Sequence, residues 1–134
     1  MSEALLEGLL VLDMSQFLSG PFAALRLGDL GARVIKIERP DGGDLCRRLY
    51  LTDTEIGGDS TLFHAINRGK LGFAADFKNP ADIAAVKSLV GKADVIIQNS
   101  PRRRRTSRAR LREHQSCQPA NRLIRHPTWV LTQF

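Results

Sequence analysis

The sequence predicts an α/β fold, a partial parallel sheet with flanking helices, and three observations carry that prediction. Runs that read as strands recur at residues 8–15, 33–38, 70–77 and 94–99, and the first is almost wholly apolar, as expected of a strand buried on both faces. Segments with helical spacing and helical punctuation lie between them, at 19–31 and 79–93. Strand and helix therefore alternate, which is the order of βαβ units rather than of hairpins. At 134 residues the chain can bury one such core.

"GLLVLDMS" (8–15) is the first strand, ending in Asp13 and Ser15. The helix after it is expected to be capped by Ser19, with Pro21 in a first turn where its missing N–H is not needed, and to close at Gly31. Phe22, Leu25 and Leu30 give it a packed face, interrupted by Arg26 and Asp29. "RVIKIE" (33–38) reads as the second strand and completes a βαβ unit, whose crossover is right-handed in almost every known case. Pro40 and the paired glycines make "RPDGGD" (39–44) a loop.

Residues 45–68 carry one expected element, a short helix over "STLFHAIN" (60–67). "KLGFAADF" (70–77) is the next strand. "NPADIAAVKSLVGKA" (79–93) is a helix with Asn79 as N-cap, Pro80 at its first position, Ile83, Val86, Leu89 and Val90 as its apolar stripe, and Gly91 at its end. "DVIIQN" (94–99) closes a second βαβ unit. Two such units imply a doubly wound, Rossmann-like sheet.

The charge is divided unevenly. Residues 1–100 hold 11 Lys and Arg against 13 Asp and Glu, whereas residues 101–134 hold 9 against 1, all nine of them arginine. The net charge of +6 thus belongs to the tail, and the ordered part has no basic face for nucleic acid. Cys46 and Cys117 fall on opposite sides of the break, so no disulfide framework is indicated and a reducing compartment follows. "MSEALLEGLL" has acids where a signal peptide needs positive charge, and no apolar run reaches the length of a spanning helix. A cytoplasmic location is expected.

In an open parallel sheet, ligands bind beyond the carboxyl ends of the strands. Ser15, Gln16, Phe17 and Leu18 stand after the first strand, Glu38 and Arg39 after the second, and Gln98 and Asn99 at the last. The first turn, "SQFLSGPF", has Gly20 but not the three spaced glycines that let a backbone touch a dinucleotide pyrophosphate, so a nicotinamide cofactor is disfavoured. Glu38 stands where an acid can hold a ribose, and Arg39 suits a phosphate or an adenine face. The plainer alternative is that both solvate a strand end. His64, between Phe63 and Ala65, reads as a packed histidine. No His/Cys cluster or nucleophile–base spacing supports metal or triad chemistry.

Taken in order, "LEGLLVLDMSQFLSGPFAALRLGDLGARVIKIERPDGGD", "FHAINRGKLGFAADFKNP" and "KADVIIQN" resemble the N-terminal portion of the family III CoA-transferases. That group includes formyl-CoA:oxalate CoA-transferase, CaiB/BaiF-type enzymes and α-methylacyl-CoA racemase. The resemblance covers residues 6–99 and divides the chain into a CoA-binding portion, 1–99, and an Arg-rich tail, 100–134. It implies coenzyme A, carried as an acyl-CoA substrate, a carboxylic acid acceptor, an interlocked homodimer and no metal.

The resemblance also implies covalent catalysis by an aspartate that forms a mixed anhydride and then an aspartyl-CoA thioester. Gln16, Phe17, Leu18 and Ser19 fall in the segment that lines the active site beside the thioester. Arg39 falls on a CoA-contacting arginine, Lys70 on the lysine of "N-x-x-K" and Asn99 on the asparagine of "ENFRPG", and the resemblance implies that all three bind CoA. No catalytic residue is expected within this chain, since the family's aspartate falls beyond residue 134, and the chain alone is expected to be inactive. Formyl-CoA transferases have glutamine where Leu18 stands, which argues against oxalate as acceptor. The arginine of "NKRS" is missing at Leu71. Transferase and racemase fit residues 1–99 equally.

The resemblance stops inside a motif, because "NFRPG" reads "NSPRR" here. Read from the second base of each codon, positions 103–114 permit "VAERLGLGYESI" and positions 117–121 permit "VNPRI", text of the kind with which the family continues. Residues 100–134 are therefore expected to be translated out of frame. A basic arm for nucleic-acid phosphates and a solvated, disordered tail of no function remain as alternatives.

Overall fold

A computed structural model of the chain describes residues 4–99, 122–125 and 130–133. In chain order the elements are β1 (Leu10–Asp13), α1 (Ser19–Asp29), β2 (Arg33–Glu38), a 3-10 turn (Leu45–Arg48), β3 (Glu55–Ile56), β4 (Asp59–Ser60), α2 (Thr61–Asn67), β5 (Leu71–Ala74), α3 (Pro80–Val90), β6 (Val95–Gln98), β7 (Arg122–Arg125) and β8 (Val130–Gln133). The main sheet has the order β5-β2-β1-β6-β8-β7. Its first four strands are parallel, while β8 pairs antiparallel with β6, and β7 antiparallel with β8. The α/β reading holds, with four parallel strands between helices.

Alternation along these strands sends side chains to two cores. Val11, Val34 and Ile97 pack with Ala24 and Ala32 on the α1 face. Leu12 and Ile37 pack with Val86, Val90 and Ala93 on the α3 face. The chain climbs from β1 through β2 to β5 at one edge, and α3 then carries it over the opposite face to β6 on the far side of β1. The strand order therefore reverses between β1 and β6, and their carboxyl ends flank the crevice where such sheets bind ligands.

Local chemistry explains most element ends. The β2 strand spans the whole of "RVIKIE". Asn79 Oδ1 accepts from Ala81 N–H and Pro80 opens α3, as the spacing predicts. At the end of α1, Gly31 N–H donates to Gly28 C=O and Ala32 N–H to Leu27 C=O, with Gly31 at φ +105°. That paired closure needs a left-handed residue, which glycine adopts without a Cβ penalty.

Two expectations are corrected. Ser19 does not cap α1. It is the first helical residue, the boundary position is Leu18, and no side chain caps there. The runs at 8–15 and 70–77 are strands over only Leu10–Asp13 and Leu71–Ala74, because the ladder ends where the chain turns into the crevice or onto α3. Gly91 ends α3 as expected, at φ −66°. The sequence reading has no counterpart for the β3–β4 hairpin, or for β7 and β8, which fall within the tail. The rest of the tail lies outside the described residues.

A small second core holds the hairpin and α2 against the carboxyl end of β2. Cys46, Phe63 and Ile66 form it. Buried Ser60 is its hinge: Oγ accepts from Phe63 N–H at 3.0 Å, capping α2, and donates to Cys46 C=O at 2.7 Å. Ser60→Ala removes the cap and one of the two hydrogen bonds to Cys46 C=O, which keeps Leu49 N–H, so it is expected to lower the unfolding free energy by about 1–2 kcal/mol, read by urea titration with circular dichroism.

Candidate functional site

The crevice is built on a set of buried charges. Parallel register places Asp13 of β1 beside Lys36 of β2, and both side chains lie on the α1 face, under the turn that joins β1 to α1. Lys36 Nζ sits 2.8 Å from Asp44 Oδ2 and 3.7 Å from Asp13 Oδ2, and it donates to Ser15 C=O at 3.0 Å. Lys70 Nζ donates to Asp13 Oδ2, Asn67 Oδ1 and Pro21 C=O, each at 2.8 Å. None of the four charged side chains is more than 3% exposed. Two carboxylates and two ammonium groups balance, which is the condition for burying charge at all.

The turn above them is tied down at every backbone polar group from Ser15 C=O to Phe17 N–H. Lys36 holds Ser15 C=O. The Asn99 side-chain amide accepts from Gln16 N–H at 2.8 Å and donates to Gln16 C=O at 2.7 Å. Asp44 Oδ1 accepts from Phe17 N–H at 3.1 Å and from Cys46 N–H at 2.9 Å. Phe17 is thereby held at φ +66°, the one described residue other than glycine with positive φ. A bulky side chain in that region costs about 1–3 kcal/mol. Gly20 is also required here, because a Cβ at that position would run into the Ser15 side chain.

These bonds aim the apolar side chains outward. Phe17 is 48% and Leu18 54% exposed. Beside the turn, beyond the end of β2, lies a hollow of about 470 Å³ lined by Arg39, Asp41, Gly42, Asp44, Leu45 and Arg48. Arg39 gives Nε–H to Gly43 C=O at 3.1 Å, and its terminal NH groups have no partner among the described residues. The hollow is in the size range of small-ligand sites; Arg39 and Arg48 share it with Asp41 and Asp44, of which Asp44 is paired with Lys36, so the open Arg39 guanidinium can still meet an anion.

Of the residues expected at a site, Gln16, Phe17, Leu18 and Asn99 are brought together at the reversal of strand order. Ser19 begins α1 at the rim. Arg39 stands at the hollow and is joined to the turn through Asp44. Lys70 is not at the surface of the crevice, and its three donors are all used beneath the start of α1. Burial pulls the Lys70 ammonium below its ordinary 10.5, and the neighbouring Asp13 carboxylate offsets this only in part.

Glu38 does not wait for a ribose. Its carboxylate takes Arg47 Nε–H at 2.8 Å and Nη2–H at 2.9 Å, with Asp44 N–H at 2.7 Å. Burial would raise its pKa, but the hydrogen bonds from Arg47 and Asp44 N–H, with the charges of Arg47 and Lys36, hold it below the ordinary 4.5. Arg47 also bonds Asp59 and lies 3.8 Å over the Phe63 ring. Cys46 is a buried thiol whose pKa is pushed up, by burial first and by Asp44 next, which removes it as a nucleophile. His64 packs edge-on against Phe63 and pairs with Ile56 C=O at 2.9 Å. Among the described residues no group of three His, Cys, Asp or Glu side chains converges on a metal position, and no helix is long and apolar enough to cross a membrane.

Asp13, Lys36, Asp44 and Arg48 were not read as site residues from the sequence. The one local signal is Lys36, a charge set between the apolar Val34, Ile35 and Ile37 of β2.

The family model for CoA-transferase family III matches residues 6–126. The human succinyl-CoA:glutarate CoA-transferase is 42% identical over 94 residues, 70% of this chain and 21% of that protein. The succinate–glutarate CoA-transferase of Agrobacterium fabrum is 42% identical over 101 residues, 72% of this chain and 25% of that protein. The crystal structure of a CaiB/BaiF family protein from Brucella suis superposes with TM-score 0.69 at 35% identity, covering 84% of this chain and 29% of that one. The chain thus spans about a fifth to a quarter of the curated relatives it matches.

Two outcomes follow from the charges. Lys36→Met strands the Asp44 carboxylate in the interior and is expected to cost about 3–5 kcal/mol in a urea titration, more than the loss of the Ser60 cap. The depressed pKa of Glu38 gives stability that is present above its ordinary pKa of 4.5 and is lost as pH falls through its lower folded value. Glu38→Gln should flatten the acid limb of a stability–pH profile below about pH 4.5 and lower stability at neutral pH.

Proposed function

The chain belongs to CoA-transferase family III, and from that premise we propose that it supplies the CoA-binding portion of an enzyme moving CoA between carboxylic acids. The observation that carries this reading is the adjacency of two unlike surfaces at the reversal of strand order: an arginine-flanked hollow and a rigid turn presenting apolar side chains. CoA has the matching halves, a phosphorylated adenosine and an uncharged pantetheine arm ending in the thioester. Arg39 and Arg48 are assigned to the phosphates and adenine, and Gln16, Phe17 and Leu18 to the thioester end. Lys70 and Asn99 support the turn.

Transfer is proposed to run through an aspartyl-CoA thioester. A carboxylate attacks the acyl-CoA carbonyl, expels the CoA thiolate and becomes a mixed anhydride. The thiolate attacks the aspartyl carbonyl of that anhydride and frees the acyl group as its acid. The acceptor carboxylate then attacks the aspartyl thioester, and the thiolate released attacks the acceptor's carbonyl in the new anhydride, restoring the aspartate. Asp13 and Asp44 are not that nucleophile, because both are buried in ion pairs. Dicarboxylates of the succinate and glutarate kind are the proposed acids, since both relatives are named for them. Transferase is preferred to racemase on the same ground. The interlocked homodimer implied by the resemblance belongs to this proposal.

The change of composition after Asn99 is proposed to be translation out of frame, which the nine arginines without lysine favour. Reading the nucleotide sequence around codon 100 tests it: another frame that continues the family text supports the idea, and three frames without it overturn it.

Titration calorimetry of the full chain tests the functional reading. CoA and 3′,5′-ADP are expected to bind, and Arg39→Ala to weaken both by about tenfold through the loss of a charge-assisted contact. Absence of binding at millimolar CoA would overturn the reading. Affinity for DNA or RNA that falls steeply with salt would instead favour the basic arm.

A further inference from the structure

Folding alone does not account for the β1–α1 turn. A left-handed phenylalanine raises the energy of the native state, and its side chain recovers little by burial, being 48% exposed beside a Leu18 that is 54% exposed. Yet the backbone beneath them is bonded at four consecutive polar groups by Lys36, Asn99 and Asp44. Strain, outward apolar side chains and a dedicated set of bonds together describe a surface whose shape is fixed before a ligand arrives. Ordering such a surface in advance lowers the cost of binding.

We propose that Asp44 and Asn99 are positioning residues, a two-sided clamp that holds Phe17 and Leu18 as a preformed apolar platform for the pantetheine–thioester arm of acyl-CoA. Asp44 acts through Phe17 N–H, and its own carboxylate is oriented by Lys36 at 2.8 Å. Asn99 acts through both backbone groups of Gln16. This assigns Asn99 to the turn rather than to direct contact with CoA. It places Asp44, which also lines the arginine hollow, at the join between the nucleotide end and the arm of the ligand. The proposal rests on the CoA reading above.

The test compares two probes on the full chain by calorimetry: CoA, and 3′,5′-ADP, which lacks the arm. Wild type is expected to bind CoA about tenfold more tightly than 3′,5′-ADP. Asn99→Ala should bring that ratio close to one while changing the 3′,5′-ADP affinity by less than about twofold, and Asp44→Ala, whose carboxylate also lines the hollow, should lower the ratio in the same way whatever it does to 3′,5′-ADP. An unchanged ratio, or equal losses for both probes, overturns the proposal, because a general structural role weakens both alike. Asn99 lies outside the buried ion pairs, so its variant remains available if Asp44→Ala does not fold.

A second readout needs no ligand. Glycine at position 17 carries no strain to release, whereas Phe17 freed from Asp44 recovers part of its own, so Asp44→Ala should lower the melting temperature more in a Phe17→Gly background than in wild type. Additive effects overturn the clamp. If wild type binds neither probe, the CoA reading fails, and this coupling alone decides whether the clamp exists.

Discussion

The structure depends on a balanced set of buried charges where β1, β2 and the approach to β5 meet. Asp13, Lys36, Asp44 and Lys70 come from four separate stretches of chain, and no one of them could be buried without the others. Such sets give little net stability, since desolvation offsets most of the attraction, while removing one member is costly. Their worth here lies in what they hold. Lys36 and Asp44 reach up to Ser15 and Phe17, and Lys70 reaches Pro21 in the first turn of α1. An apolar core of the same volume would support the sheet equally well, but it could not bond those backbone groups.

Strand order decides where this matters. A sheet built as β5-β2-β1 on one side and β6 on the other sets the carboxyl ends of β1 and β6 side by side at the reversal of strand order. The crevice so formed would be lined by unpaired backbone if the β1–α1 turn were loose. Asn99, one residue past the end of β6, closes it by pairing with Gln16, 83 positions earlier. The crevice is therefore made by topology and given its shape by side chains at its edges.

This division explains what the sequence revealed. Wherever structure is decided within a few residues, it was legible: the six-residue run at Arg33–Glu38, Asn79 before Pro80, and the short helix after Ser60 all carry their own punctuation. The Gly57–Gly58 pair, with φ +60° and +84°, was an equally local sign of the β3–β4 hairpin and was passed over. The clamp was not legible, because each of its bonds joins residues far apart in sequence: Gln16 and Asn99 are 83 positions apart, Phe17 and Asp44 27. Ser19 misled for a related reason. A serine before a helix suggests a cap, but here the turn is held by groups from other strands and needs none. Gln16, Phe17, Leu18, Arg39 and Asn99 stand at strand ends where such a sheet binds ligands, and family resemblance adds the roles that periodicity does not carry.

The neighbouring arginines at 47 and 48 show how environment separates chemically identical residues. Both end the 3-10 turn. Arg47 is spent on structure: Glu38 takes two of its N–H groups, Asp59 another, and the Phe63 ring lies against its face. A guanidinium so occupied has little left for a phosphate, and it serves as the bolt between β2, the hairpin and α2. Arg48, one residue on, points to the hollow and meets none of those partners. The wall is made rigid by the first arginine so that the second can stay open to an anion, at no cost in order to the chain that carries it. The same separation runs through the whole crevice, where buried charges hold the backbone and exposed side chains are left free to meet a ligand.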